Sequence, residues 1–208
     1  YRDGMQFREY DAMTGQTTLV HDFSVEFPGC ERILNDVEGD SSSDSRYWAW
    51  MVQAPYNGTD FPMVAIITYD KQTDTILGVL NYTKYQAMGG TASELPRPNM
   101  VDISPLGTKV VALWGRTDNQ DLFDGPHAYD LDFSNPVRVS NDETHGGWGF
   151  DHNGDELYVS QINNDNWPGI DPDTITCVNI KTGKADMIIY HEDIGWDVGG
   201  FHFGRFYN

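Results

Sequence analysis

The chain has 208 residues, with 32 acidic side chains against 13 basic ones and a formal net charge of −19. A surface that negative repels phosphate, which argues against nucleic acid and against an anionic membrane surface; cations, cationic ligands or plain solubility are the compatible readings. Its apolar stretches are short: Met63–Thr68 is typical, and none nears the ~20 apolar residues of a membrane-spanning helix.

In chain order, the first pattern is Tyr10-Asp11-Ala12-Met13-Thr14-Gly15, a polar turn between two runs of strand character. It returns at Tyr69-Asp70-Lys71-Gln72-Thr73-Asp74, at Tyr129-Asp130 with Ser134-Asn135, and at Val178-Asn179 with Thr182-Gly183. Successive copies start roughly 50–60 residues apart, a period that marks a repeat architecture. A second hairpin falls between the copies: Ser43-Asp44-Ser45-Arg46-Tyr47, then Ser104-Pro105-Leu106-Gly107, then Asp151-His152-Asn153-Gly154, then a fourth start at His202-Phe203-Gly204. Each pairs a polar or Gly-containing turn with an aromatic or β-branched run, which reads as a turn feeding a strand. Two alternating hairpins make four antiparallel strands per repeat.

These repeats predict an all-β chain, a single β-propeller domain or part of one, with four-stranded blades. The expected blades cover about 34–84, 98–140 and 144–192, with partial ones at 5–23 and 198–208. Neither a starting Met nor a signal peptide heads the sequence, and it stops inside a hairpin. The expectation is an arc of a larger, seven- or eight-bladed ring; the alternative is a small ring closed by its own two ends. Long polar segments, Lys84–Pro98, Thr117–His127 and Asn163–Asp173, read as loops, and helical periodicity is hard to find.

The second hairpin's pattern resembles the Ser-Pro-Asp-Gly-Lys turns of WD40-like, TolB-type propeller blades, as found in secreted bacterial proteins. Ser104-Pro105 with Gly107 is the best match, and the resemblance extends over nearly the whole chain at the level of fold. It implies a propeller in an extracellular or periplasmic setting. It carries no fixed function, because propellers host lyases, accessory domains and plain binding modules.

In a propeller the strand before the Ser turn lines the central channel. That slot holds Asp36, Glu38, Asp40, Asn99, Asp102, His145, Trp148, Asp197 and His202. Converging histidines and carboxylates can bind a divalent cation or act as acid and base. His145, His202, Glu38 and Asp102 are the catalytic candidates if the protein is an enzyme. The bland reading stands beside each: Glu38, Asp40 and Asp102 are placed to cap turn amides, and both histidines to bond within a blade. Asp40 and the loop tryptophans Trp148, Trp167 and Trp196 are ligand-binding candidates, whereas Trp48, Trp50 and Trp114 read as packing residues. Asp165, Asp171 and Asp173 offer hard oxygens for a cation such as calcium, without the spacing of an EF-hand. Asp118, Asp121 and Asp124 with His127 form a similar set. Asn57-Gly58-Thr59 and Asn81-Tyr82-Thr83 match the glycan-acceptor triplet, and Cys30 and Cys177 are either a disulfide or two thiols.

No nucleophile elbow, zinc-protease motif or phosphate-binding glycine loop is present. The first functional reading is therefore an extracytoplasmic binding module for a protein or glycan, with other parts of a longer chain as further partners. The alternative is a carbohydrate-active enzyme, a polysaccharide lyase or glycoside hydrolase, assisted by a metal.

Overall fold

The structure, a computed structural model, describes residues 2–34, 41–58, 62–90, 98–114, 125–139, 149–150, 156–162 and 174–190. They form fifteen strands and one short helix. The first sheet holds β1 (Arg2–Asp3), β2 (Gln6–Asp11) and β3 (Gln16–Asp22). The second holds β4 (Arg32–Leu34), β5 (Tyr47–Gln53), β6 (Met63–Asp70) and β7 (Thr75–Asn81). Helix α1 (Tyr82–Ala87) follows. The third sheet holds β8 (Pro98–Ile103), β9 (Lys109–Trp114), β10 (Gly125–Asp130) and β11 (Val137–Arg138). The fourth holds β12 (Gly149–Phe150), β13 (Leu157–Ile162), β14 (Thr174–Asn179) and β15 (Lys184–Tyr190).

Every pairing is antiparallel and joins chain neighbours, so each sheet is a simple meander. This is the all-β propeller architecture that the repeats predict. The strands are built from Val, Ile, Tyr and Trp because branched and aromatic side chains pack well on a pleated surface.

The sheets stack face to face in chain order. Phe7 and Met5 of the first sheet meet Trp50, Val52, Ala65, Ile67 and Tyr69 of the second. The second sheet's opposite face, with Ala49, Met51 and Ile66, meets Val101, Ile103, Ala112 and Tyr129 of the third. Val111 and Ala128 of the third sheet then meet Val178 and Ile180 beside the fourth. We call the side of each sheet that meets its predecessor its leading face. Along β6, Tyr69, Ile67 and Ala65 lie on the leading face and Ile66 on the trailing one, as a period of two requires.

The four Tyr-Asp hairpins fold alike. The carboxylate or amide that ends the strand before each turn accepts hydrogen bonds from that turn. Asp11 accepts from the Met13 N–H at 2.8 Å, Asp70 from the Gln72 N–H at 2.9 Å and Asn179 from the Thr182 N–H at 3.1 Å. Asp130 accepts from the Asn135 side-chain amide at 2.6 Å. Each turn closes on a residue in the left-handed region: Gly15 at φ 69°, Asp74 at 52°, Asn135 at 52° and Gly183 at 65°. Gly, Asn and Asp are the residues that tolerate that conformation.

Two features depart from the sequence reading. The turn of the second sheet opens at Ser42, not Ser43. The Ser42 N–H donates to the Tyr47 carbonyl at 2.9 Å, as Ser104 does to Lys109 at 2.9 Å, and Ser45 takes the left-handed place of Gly107. The resemblance therefore moves by one residue, to Ser42-Ser43-Asp44-Ser45-Arg46, which keeps the Ser, the Asp and the base of the pattern. The second departure is α1, which runs from the end of the expected blade into the segment read as a loop from Lys84. Asn81 caps it by accepting from the Lys84 N–H at 3.0 Å, a local bond that hydrophobic periodicity does not register. Cys30 and Cys177 are not joined in a disulfide. Among the described residues no helix is long and apolar enough to cross a membrane.

Candidate functional site

A meander sends its connections alternately to two ends. The Ser turns and the Tyr-Asp turns leave from one end of each sheet. The connections between the middle strands, and those that pass to the next sheet, leave from the other.

At the turn end the polar groups are engaged with one another. The Arg46 guanidinium grips Asp70 with two prongs, Nη2 to Oδ2 at 2.6 Å and Nε to Oδ1 at 3.1 Å. Asp70 is buried, and those hydrogen bonds hold its carboxyl at about 2, below the ordinary carboxylate value. In the third sheet Lys109 pairs with Asp130 through a single contact, Nζ to Oδ1, and lowers its pKa. The Ser42 hydroxyl donates to Asp44 at 2.6 Å and depresses that carboxyl. Neighbouring turns also join: the Ser43 N–H donates to the Pro105 carbonyl at 2.8 Å, and the Tyr47 ring lies where a Cβ on Gly107 would be.

The Tyr-Asp turns form joints between sheets, each docking on the last strand of the sheet before. Asp74 reaches His21 of β3, with Oδ1 2.6 Å from Nδ1, and accepts from the Tyr69 hydroxyl at 2.7 Å. The other His21 nitrogen lies 3.3 Å from Glu26. The Tyr69 hydroxyl, chiefly through burial, has its pKa raised, and its hydrogen bond lowers that of Asp74. In the next joint Thr68 donates to the Leu131 carbonyl, and Gly78 of β7 lies against the same backbone. In the third, Gly183 approaches Val137 of β11.

The group formed by His21, Asp74 and Tyr69 is not among the candidates read from the sequence. Its signal was Asp74 itself, an Asp where two of the other repeats use Gly. A left-handed Asp has a side chain free to reach the adjacent blade.

Of the predicted site residues, Asp102 falls within the described part. It lies on β8, directly opposite Val111, and is 3 % exposed. That row continues to Ala128 and Val137, so Asp102 is on the trailing face, within the joint to the fourth sheet. His127 is also buried, in register with Ala112, whose side of the sheet is the leading one. Trp48 and Trp50 are stacked at 5.6 Å in the aromatic core between the first two sheets, as packing residues. His145, His202, Glu38, Asp40, Trp148, Trp167, Trp196, Asp165, Asp171 and Asp173 lie outside the described residues, as do Asp118, Asp121 and Asp124.

His145 and Trp148 belong to the passage from β11 to β12, and Asp165, Trp167, Asp171 and Asp173 to the one between β13 and β14; Trp196 follows β15. Asp102 is two residues before the Ser104 turn, at the turn end. Among the described residues no three His, Cys, Asp or Glu side chains converge as a metal site requires.

No family model matches the chain. No curated protein matches it either. Among solved structures it is similar to an oligogalacturonate lyase in complex with manganese, at 14% identity and a TM-score of 0.50. The match covers 89% of this chain and 48% of that one, so the chain spans about half the length of the lyase. Identity that low speaks for the fold alone.

Proposed function

We propose that the protein is an extracytoplasmic binding propeller that takes a glycan at the end opposite its Ser and Tyr-Asp turns. The observation that carries this reading is the division between the two ends. At the turn end Arg46, Lys109, Asp70, Asp130 and Ser42 are engaged in pairs that hold the scaffold. The other end carries the connections between the middle strands and between sheets, where loops on a rigid frame usually bind, and in sequence Trp148 lies between β11 and β12, Trp167 between β13 and β14, and Trp196 after β15. Indole faces stack on sugar rings, and a cation on Asp165, Asp171 and Asp173 would let an anionic sugar approach a chain of net charge −19.

The alternative, a metal-assisted polysaccharide lyase with His145 and His202 as bases and Glu38 beside them, is favoured by the likeness to a manganese-bound lyase, while the buried Asp102 drops out of that set. One experiment addresses both. Oligogalacturonate is titrated into the full chain by calorimetry, with and without manganese or calcium, while the absorbance of unsaturated product is followed. Binding without turnover, lost in the Trp148→Ala/Trp167→Ala double variant, is the expected result. Turnover that His145→Ala/His202→Ala abolishes would replace the binding reading with the lyase. No heat from any acidic or neutral oligosaccharide, with or without the cations, would end both.

A further inference from the structure

Residues 54–62 connect β5 to β6 at the end opposite the turns. Their base is closed: Gln53 pairs with Met63 in register, and the Ala54 N–H donates to the Pro62 carbonyl at 2.8 Å. Above that base stands Asn57-Gly58, with both residues exposed and outside any strand. Gly58 has φ 101°, a backbone state that favours glycine, and a Cβ built on it would meet nothing within 4 Å. The Tyr56 hydroxyl donates to the Gly58 carbonyl at 2.8 Å. That bond engages the acceptor of Gly58 and not its donor, and among the described residues the Gly58 N–H has no acceptor.

The side-chain amide carbon of an asparagine is open to attack by the backbone nitrogen of the next residue, so the following N–H decides which asparagine reacts. The other described asparagines are guarded at that group. Ile180, after Asn179, donates its N–H to the Glu156 carbonyl at 2.8 Å. Pro136, after Asn135, has no N–H. Met100, after Asn99, is fixed in β8 by its pairing with Leu113. Tyr82, after Asn81, opens α1, and Asn81 Oδ1 is itself held by the Lys84 N–H at 3.0 Å. Asn57 is followed by glycine, which has no side chain to obstruct the approach.

We infer that Asn57 is a site of spontaneous deamidation in the folded protein. The Gly58 nitrogen forms a bond to Asn57 Cγ, the Cγ–Nδ2 bond breaks, and the proton of that nitrogen leaves with the amide as ammonia. The product is a cyclic imide. Water then opens it: opening at Cγ gives Asp, and opening at the main-chain carbonyl gives an isoaspartyl link that runs through Cβ and Cγ. Nothing is oxidised or reduced, and water is the co-reactant. Either product replaces an amide by a carboxylate, so the chain becomes one unit more negative than −19. The isoaspartyl link also lengthens the main chain by one methylene. Because the bond from Ala54 to Pro62 closes the base, that methylene is taken up within the loop and the second sheet keeps its register. The reaction needs no ligand, so it is independent of glycan binding at that end.

The test is to incubate the chain at mildly alkaline pH, folded in buffer and unfolded in guanidinium chloride, and to follow each asparagine over time by peptide mapping with mass spectrometry. Fragmentation that distinguishes isoaspartate from aspartate identifies the product. Asn57 of the folded chain is expected to react within about tenfold of its rate in the unfolded chain, which means that the fold adds less than about 1.4 kcal/mol to the barrier. Asn81 and Asn179 of the folded chain should keep their amides over the same period. Asn57→Gln, an exposed substitution, should remove this product. The acidic form, separated by ion exchange, should retain the near-ultraviolet circular dichroism of the Phe7–Trp48–Trp50 cluster, since the change stays within the loop. A folded-state rate at Asn57 more than about tenfold below the unfolded one overturns the inference. So does conversion at Asn81 or Asn179 as fast as at Asn57, because the following N–H would then not be what selects the site.

Discussion

The joint between the first and second sheets and the joint between the second and third use one geometry and two chemistries. In each, a Tyr-Asp turn docks on the last strand of the preceding sheet. In the first, side chains make the contact: Asp74 reaches His21 and Tyr69 above a core of Phe7, Phe23, Trp48 and Trp50. In the second, backbones meet: Leu131 and Asp132 press on Gly78, and the core behind them is largely aliphatic. Side chains bridge a gap and tolerate adjustment, whereas two backbones in contact leave no room for a Cβ.

That difference is broken most directly at Gly78. A Cβ there would overlap the Leu131 carbonyl oxygen and lie 2.8 Å from the Asp132 Cα. Neither is a flexible side chain that can swing away. Gly78→Ala is expected to cost about 3 kcal/mol in urea unfolding, at the upper end for overpacking. A loss below about 0.5 kcal/mol, the level of an ordinary surface change, would show that the second joint is as adaptable as the first.

The next effect lies inside a sheet and sharpens the comparison by separating blade stability from joint stability. Asp70 has its pKa held at about 2 by Arg46, against an ordinary value of 3.8. A depressed folded-state pKa stabilises above the unfolded value and ceases to do so as pH falls through the folded one. The Arg46–Asp70 pair therefore contributes in full above about pH 4 and fades towards pH 2. Asp70→Asn should destabilise by about 1–2 kcal/mol at neutral pH, the partly exposed Arg46 reducing the full linkage value. The gap from the parent chain should narrow as unfolding is repeated at lower pH. A gap that is constant from pH 7 to pH 2 would assign the loss to packing instead.

The smallest effect is expected at Asp74, whose side chain is 64% exposed. Asp74→Asn removes the charge facing His21 and keeps an amide that accepts from Tyr69. A change of no more than about 0.5 kcal/mol in thermal unfolding is expected, since solvent screens exposed pairs. A loss as large as that of Gly78→Ala would mean that the polar clasp, and not the aromatic core beneath it, holds the first two sheets together.

The repeat was legible because each Tyr-Asp turn is a local device. The capping Asp bonds amides two or three residues onward, so the motif carries its own geometry and reads the same wherever it occurs. Strand character was legible for a related reason, as in Met63–Asp70, whose apolar run ends in a capped turn. Helix α1 was hidden because one side chain, Asn81, starts it. His21 gave no local signal, for its partner Asp74 is 53 positions away. Asp102 was rightly placed on the strand before a Ser turn, yet its row-mates Val111, Ala128 and Val137 decide that it faces a neighbouring sheet.

Sequence alone therefore determined what depends on near neighbours: the period, the turns, the antiparallel strands and, through them, the propeller. Tertiary structure decided which face of each strand is covered, because that depends on the sheet that arrives alongside. Tyr10 and Tyr69 are the same letter in the same motif, and one is exposed while the other is sealed in the core. Burial belongs to the neighbour as much as to the residue.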